Sequence, residues 1–239
     1  MSMLAGIHPI REALRAGRSL ERVVVARGAA NPRLRELVRM CQERGIPVQF
    51  DAREQLDRAA SGALHQGVIA YGAAERHASL QETAASGGLH LVLDGVEDPH
   101  NLGAIVRTAH AAGAAAVVVP ERRAAGLTGT VERTAAGALA YIPVVRVTNV
   151  NRALEELKRR SYWIYGLDGR GKELYDRIAY TAPTAFVLGA EGKGLHQQTA
   201  AHCDFLVRIP MAPGGVASLN VSVAAGVILF EWRRRQTAP

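Results

Sequence analysis

The sequence predicts an α/β protein in which a mostly parallel sheet, covered by helices on both faces, follows a small N-terminal α/β domain. Three observations carry this. Six short apolar, β-rich runs at 89–93, 116–119, 144–147, 163–167, 185–188 and 205–209 alternate with helical stretches, the pattern of strands buried on both faces. Residues 1–71 repeat the alternation on a smaller scale. Between them, GAAERHASLQETAASGG at 72–88 is rich in Ala, Ser and Gly and poor in large apolar side chains, which marks a seam. The expected division is a domain at 1–72, a linker at 73–88 and a second domain at 89–239.

In the first part a helical stretch runs through 9–15 and a strand through 22–26. Asn31-Pro32 opens a second helix, because an Asn side chain accepts from free backbone N–H groups at an N-cap and Pro fits the first helical position. Gly45 ends that helix before a strand at 46–50, Asp51 is expected to cap a short third helix, and 67–71 reads as a further strand. This half carries 11 arginines against 7 acidic residues and shows no catalytic constellation.

In the second part the loops that follow the strands deserve the chemistry, since ligands of parallel sheets sit outside the carboxyl ends. After 89–93, Asp98-Pro99 reads as a turn and Asn101 as the cap of a helix over 103–111 that carries Arg107. Among Ala104, Ile105, Val106 and Ala109, that arginine also reads as a side chain snorkelling to solvent. After 185–188, GAEGKGL holds Glu191 and Lys193 among Gly189, Gly192 and Gly194, which permit positive φ and close approach. The loop matches neither GxxxxGK[ST] nor GxGxxG, so its glycines alone indicate a tight turn rather than a nucleotide site. After 205–209, PMAPGGVASLN leads to a C-terminal helix expected to begin near Leu219 with Ser218 as its N-cap. Ala224, Ala225 and Gly226 would let another backbone or a ligand approach that helix.

The bulk numbers narrow the function classes. A net charge of +7 and a pI near 9.9 favour a polyanionic partner, nucleic acid first. No run of about 18 apolar residues and no secretory leader is read, so neither a membrane span nor secretion is expected, and a cytoplasmic location is. Cys41 and Cys203 lie far apart and no His or Cys falls into a CxxC or HxxxH spacing, so no disulfide framework and no metal are expected.

NLGAIVRTA at 101–109, LGAEGKGL at 188–195, and IPM with SLNVSVAAG between 209 and 226 resemble, in order and spacing, the three motifs of the SpoU/TrmH family of RNA 2′-O-methyltransferases dependent on S-adenosylmethionine (AdoMet). GIHPIREAL at 6–14 and GALHQGVIA at 62–70 resemble the ribosomal-protein-like substrate-binding domain of the branch that methylates a guanosine of large-subunit (23S) rRNA, a domain the tRNA-modifying branch generally lacks. The resemblance implies a trefoil knot in the second domain, AdoMet as cofactor, rRNA as partner, and a homodimer with active sites at the subunit interface. It implies a catalytic set of Asn101, Arg107, Glu191, Ser218 and Asn220, with Arg107 acting on the ribose 2′-hydroxyl. It implies an AdoMet site held largely by backbone at Leu188, Gly189, Ile209, Met211, Ser218 and Leu219. One departure is the stretch APGGVA at 212–217, a residue longer than is common in the family. Two alternatives stay open at this point: the same chemistry on tRNA or another rRNA nucleoside, and a non-catalytic RNA-binding factor in ribosome assembly.

Overall fold

A computed structural model of the chain describes residues 2–29, 31–72, 78–122, 124–192, 194–215 and 218–236. It divides into two compact units, one of residues 1–76 with 136–141, the other of 77–135 with 142–239.

In the first unit, β1 (Ser2–Ala5), α1 (Ile7–Arg15), β2 (Leu20–Ala26), α2 (Pro32–Glu43), β3 (Val48–Asp51), α3 (Arg53–Ala60) and β4 (Val68–Gly72) form a four-stranded sheet in the order β1-β4-β2-β3. Its strand β2 alternates in period two: Val23 and Val25 pack with Leu14 and Leu34 of α1 and α2, while Val24 packs with Leu56 of α3. Asn31 caps α2 as the sequence predicts, its side chain accepting from the Arg33 N–H at 2.9 Å. Asp51 does not cap α3. It ends β3, its Oδ1 accepts from the Ala52 N–H, and the cap position falls to Ala52, whose side chain has no acceptor. Strand β1, which sequence patterning misses, pairs antiparallel with β4 and brings the stretches 6–14 and 62–70 together, with the Ile7 N–H donating to Gln66 Oε1 at 3.3 Å.

The second unit begins inside the stretch expected to be a linker. Residues 73–77 lie outside the described residues, but α4 (Leu80–Ala85) is an ordered helix closed by a capping box between Ser79 and Glu82. Leu80 and Ala84 belong to this unit's core, so 80–85 is part of the domain rather than a tether. Thereafter come β5 (Leu89–Asp94), α5 (Pro99–Ala112), β6 (Ala116–Pro120), α6 (Gly129–Ala135), β7 (Val144–Val147), α7 (Val150–Arg159), β8 (Trp163–Leu167), β9 (Glu173–Leu174), β10 (Thr184–Gly189), α8 (Gln197–His202), β11 (Phe205–Arg208) and α9 (Val221–Gln236). The strands make a seven-stranded, wholly parallel sheet in the order β7-β6-β5-β10-β8-β11-β9. All six apolar runs are strands, and two-residue β9, too short to leave a pattern, is the seventh. Because neighbours are parallel, the loops after β8, β10 and β11 and the approach to α5 open along one edge.

Val92, Val118 and Val187 face α4 and α7, where Leu154 and Leu157 cover them. Alternate residues, Leu91, Leu93 and Phe186, turn to the opposite face, where α5 and α9 pack together. The far end of α9 is tied down by Trp232, whose indole N–H donates to Thr184 Oγ1 at 3.2 Å. Among the described residues no helix is long and apolar enough to cross a membrane.

One buried polar group lies on the α4 face. His90 of β5 is fully buried against Tyr162, and its Nε2 is 3.2 Å from Thr83 Oγ1. The Thr83 hydroxyl is within reach of the Ser79 and Leu80 carbonyls, so it accepts from His90 and leaves Nδ1 buried with no partner among the described residues. Burial pushes the imidazole down to about 4. The unfolded chain therefore takes up this proton first: the contribution is full above about 6.5 and is lost as pH falls towards 4, roughly 3 kcal/mol in all. His90→Leu should flatten the fall of the thermal midpoint between pH 7 and 4.5. An unchanged slope in scanning calorimetry would contradict this placement.

Candidate active site

Three chain segments converge at the carboxyl edge of the second unit, and each is shaped by its own local rule. Helix α5 starts earlier than the sequence reading has it: Asp98, not Asn101, is the N-cap, accepting from the His100 N–H at 2.9 Å, and Pro99 takes the first helical position. Asn101 is thus released from capping and sits in the first turn, 8% exposed. Strand β10 ends at Gly189, where a Cβ would fall 2.0 Å from the Gly194 carbonyl oxygen. Only glycine lets the chain fold back here into the Ala190–Gly194 bridge, which places Glu191 at the turn. Helix α9 begins at Val221 rather than near Leu219, and Asn220 takes the capping role expected of Ser218, its Oδ1 accepting from the Ser222 N–H at 2.9 Å.

These three side chains form one network. With Asn220 Oδ1 engaged by the Ser222 N–H and by the Ser222 hydroxyl at 2.6 Å, its amide nitrogen must face the other way. That nitrogen donates to Asn101 Oδ1 at 3.0 Å and lies 3.3 Å from Glu191 Oε1. Asn101 Nδ2 in turn donates to Glu191 Oε2 at 3.4 Å. Each carboxylate oxygen thus has an amide donor, which holds Glu191 in one orientation while it remains at the surface of a cavity.

That cavity, of about 330 Å³, is lined by Glu191 and by all six residues expected to hold AdoMet: Leu188, Gly189, Ile209, Met211, Ser218 and Leu219. Asn101 and Asn220 reach it through Glu191. Arg107 does not line it. It is exposed on α5, six residues and about 9 Å along the axis from Asn101, and among the described residues no hydrogen bond or ion pair engages it. Lys193 and residues 216–217 lie outside the described residues.

Sequence reasoning misses the wall formed by Leu167, Asp168, Gly169 and Arg170 after β8. The signal was present, because LDGRG follows a predicted strand as the other two loops do. Asp168 is buried, accepts from Arg170 through its backbone N–H, Nε and Nη2, and accepts from the Leu195 N–H at 3.1 Å. The Arg170 guanidinium holds its carboxyl down to about 2. The pair fastens the end of β8 to the end of the glycine turn.

The cavity fits AdoMet on its own terms. Its volume lies at the lower end of small-ligand sites, its walls mix backbone with Leu188, Ile209, Leu219 and Val221, and the Glu191 carboxylate suits a nearby sulfonium. Among the described residues no group of three or more His, Cys, Asp or Glu could hold a metal ion.

Comparison with known proteins places the chain in a family. The SpoU rRNA Methylase family matches residues 88–230, and the RNA 2′-O ribose methyltransferase substrate-binding family matches residues 3–78. The chain is 45% identical to the 23S rRNA (guanosine-2′-O-)-methyltransferase RlmB of Haemophilus influenzae, over 97% of this chain and 96% of that one. It is 40% identical to the TrmH family tRNA/rRNA methyltransferase YacO of Bacillus subtilis, over 97% and 94%. Among solved structures, the SpoU methyltransferase AviRb of Streptomyces viridochromogenes in complex with AdoMet superposes with a TM-score of 0.83 at 26% identity, covering 99% of this chain and 90% of that one. The chain belongs to the SpoU rRNA methylase family and carries that family's methylase and substrate-binding domains in one polypeptide.

Proposed function

We propose that this protein methylates the ribose 2′-hydroxyl of a guanosine in 23S rRNA, acting in the cytoplasm as a homodimer. The observation that carries the substrate is the full-length likeness to an enzyme named for that reaction, with a substrate-binding domain ahead of the methylase domain. The basic N-terminal unit, 1–72 in the domain reading, would add affinity through phosphate contacts. When bound, AdoMet supplies an electrophilic methyl group on a sulfonium.

The chain's own residues have three tasks. The backbone at Leu188, Gly189, Ile209, Met211, Ser218 and Leu219 holds the cofactor, and the Glu191, Asn101 and Asn220 network with Ser218 fixes the polar side of the site. Arg107 stabilises the alkoxide that develops as the 2′-hydroxyl loses its proton. A guanidinium is too weak an acid to serve as base in ordinary surroundings, whereas fixed positive charge at a nascent oxyanion is an effective source of rate.

Dimerisation answers where Arg107 acts. Within one chain it is exposed and absent from the cavity lining. Its neighbour Thr108 lies against α9, where a Cβ at Gly226 would meet the Thr108 methyl at 3.8 Å. Val223 and Phe230 of α9 are 52% and 49% exposed, an apolar stripe beside the α5 surface and suited to a second copy. A two-fold partner would then present Arg107 to the opposite cavity. A wholly parallel sheet with β10 inserted between β5 and β8, and a cavity lined jointly by Leu188, Gly189, Ile209, Met211 and Leu219, is compatible with a knotted C-terminus.

Three outcomes check the reading. Tritium from labelled AdoMet should appear in 2′-O-methylguanosine of unmodified 23S rRNA. Label confined to tRNA would overturn the substrate, and label in neither RNA would overturn the reaction. Asn220→Asp, which keeps an acceptor for Ser222 but loses the amide donor facing Glu191, should lower the single-turnover rate about 10- to 100-fold. A wild-type rate would remove the network from catalysis. Finally, Arg107→Ala and Asn220→Asp subunits, each retaining about a tenth of wild-type activity or less alone, should together rise to about a quarter or slightly more after subunit exchange, because half the dimers are mixed and one of their two sites is intact. No recovery would place both residues in the same chain's site or exclude the dimer.

A further inference from the structure

Arg170 has unspent hydrogen-bonding capacity at the cavity wall. A guanidinium carries five N–H groups. Its Nε donates to Asp168 Oδ1 at 2.8 Å, and Nη2 donates to Asp168 Oδ2 at 2.7 Å and to the Leu195 carbonyl at 3.1 Å. Both N–H groups of Nη1 are left without a partner among the described residues. The side chain is nonetheless held in one plane by the bidentate fork, although 63% of it is exposed, whereas Asp168 is 3% exposed and has both oxygens occupied. Asp168 therefore has no free lone pair of good geometry for a ligand. Its effect is to aim Arg170.

Three charged residues among those described line the cavity: Asp168, Arg170 and Glu191. AdoMet brings two positive groups, the sulfonium and the α-ammonium, and one negative group, the α-carboxylate. Glu191, fixed on the side of Asn101 and α5, attracts the positive groups and repels the carboxylate. Arg170 stands across the glycine turn, on the side of Leu195 and the end of β8. We propose that Arg170 is a cofactor-binding residue whose Nη1 donates to the α-carboxylate of AdoMet, with Asp168 as the residue that positions it. A pre-aimed guanidinium loses little side-chain freedom on binding, which is what makes such a contact productive at an exposed rim.

The proposal rests on the cavity being the AdoMet pocket, and the experiment separates the two. Calorimetric titration of the full-length protein with AdoMet and with decarboxylated AdoMet, which lacks only the carboxylate, reads the contact directly. Arg170→Gln should weaken AdoMet about 10- to 100-fold and change the decarboxylated ligand by less than about twofold. Arg170→Lys, which keeps the charge and loses the fork, should recover part of the AdoMet affinity. Equal weakening of both ligands would overturn the proposal, because any distortion of the turn affects both alike; unchanged binding of both would overturn it as well. Met211→Trp, at a partly exposed wall position, should block both ligands. Undiminished binding to that variant would instead overturn the pocket reading itself.

Discussion

The amide of Asn220 joins two structural demands that meet nowhere else in the site. Its oxygen closes the first turn of α9, and its nitrogen bridges Asn101 and Glu191, which arrive on α5 and on the β10 turn. Because the oxygen is committed to Ser222, the nitrogen cannot rotate away without leaving a helix N–H and a hydroxyl unsatisfied, a cost on the order of 1–3 kcal/mol if the groups are desolvated. A local helix cap thus sets the direction of a hydrogen bond in the candidate site. Everything proposed for Glu191 depends on that direction.

The walls follow from a second constraint, the absence of side-chain volume at Gly189. A methyl there would overlap the Gly194 carbonyl, so the turn closes tightly and its outer residues face the cavity instead of one another. The Asp168–Arg170 pair then locks the far end of the same turn through Leu195. Backbone held from both ends offers its N–H and C=O groups to a ligand with little reorganisation, which suits the proposed cofactor site.

Much of this was legible in the sequence, and the failures have definite causes. The six apolar runs are strands because a parallel sheet buries both faces and so leaves uninterrupted β-rich segments. Three motifs pointed to Asn101, Glu191 and Asn220, which the structure joins, and to six residues that it places around one cavity. Helix starts were misplaced by two to four residues because Asp98, Asn101, Ser218 and Asn220 are all competent caps, and only packing decides between them. The helix at 80–85 was hidden in a small-residue stretch despite its Ser79 and Glu82 capping box. Arg107 belongs to a motif but has no hydrogen-bond or ion-pair partner among the described residues, and the periodicity of α5 gives only its exposure.

A crystal structure of the protein with S-adenosylhomocysteine tests the central claim, that the cavity behind Glu191 is a cofactor pocket completed by a second copy. The ligand should lie between the 188–194 turn and residues 209–219, its sulfur facing Glu191, with Arg107 of the partner subunit across the opening. Ligand density elsewhere on the chain, or a bound monomer with Arg107 turned away from the site, would contradict it.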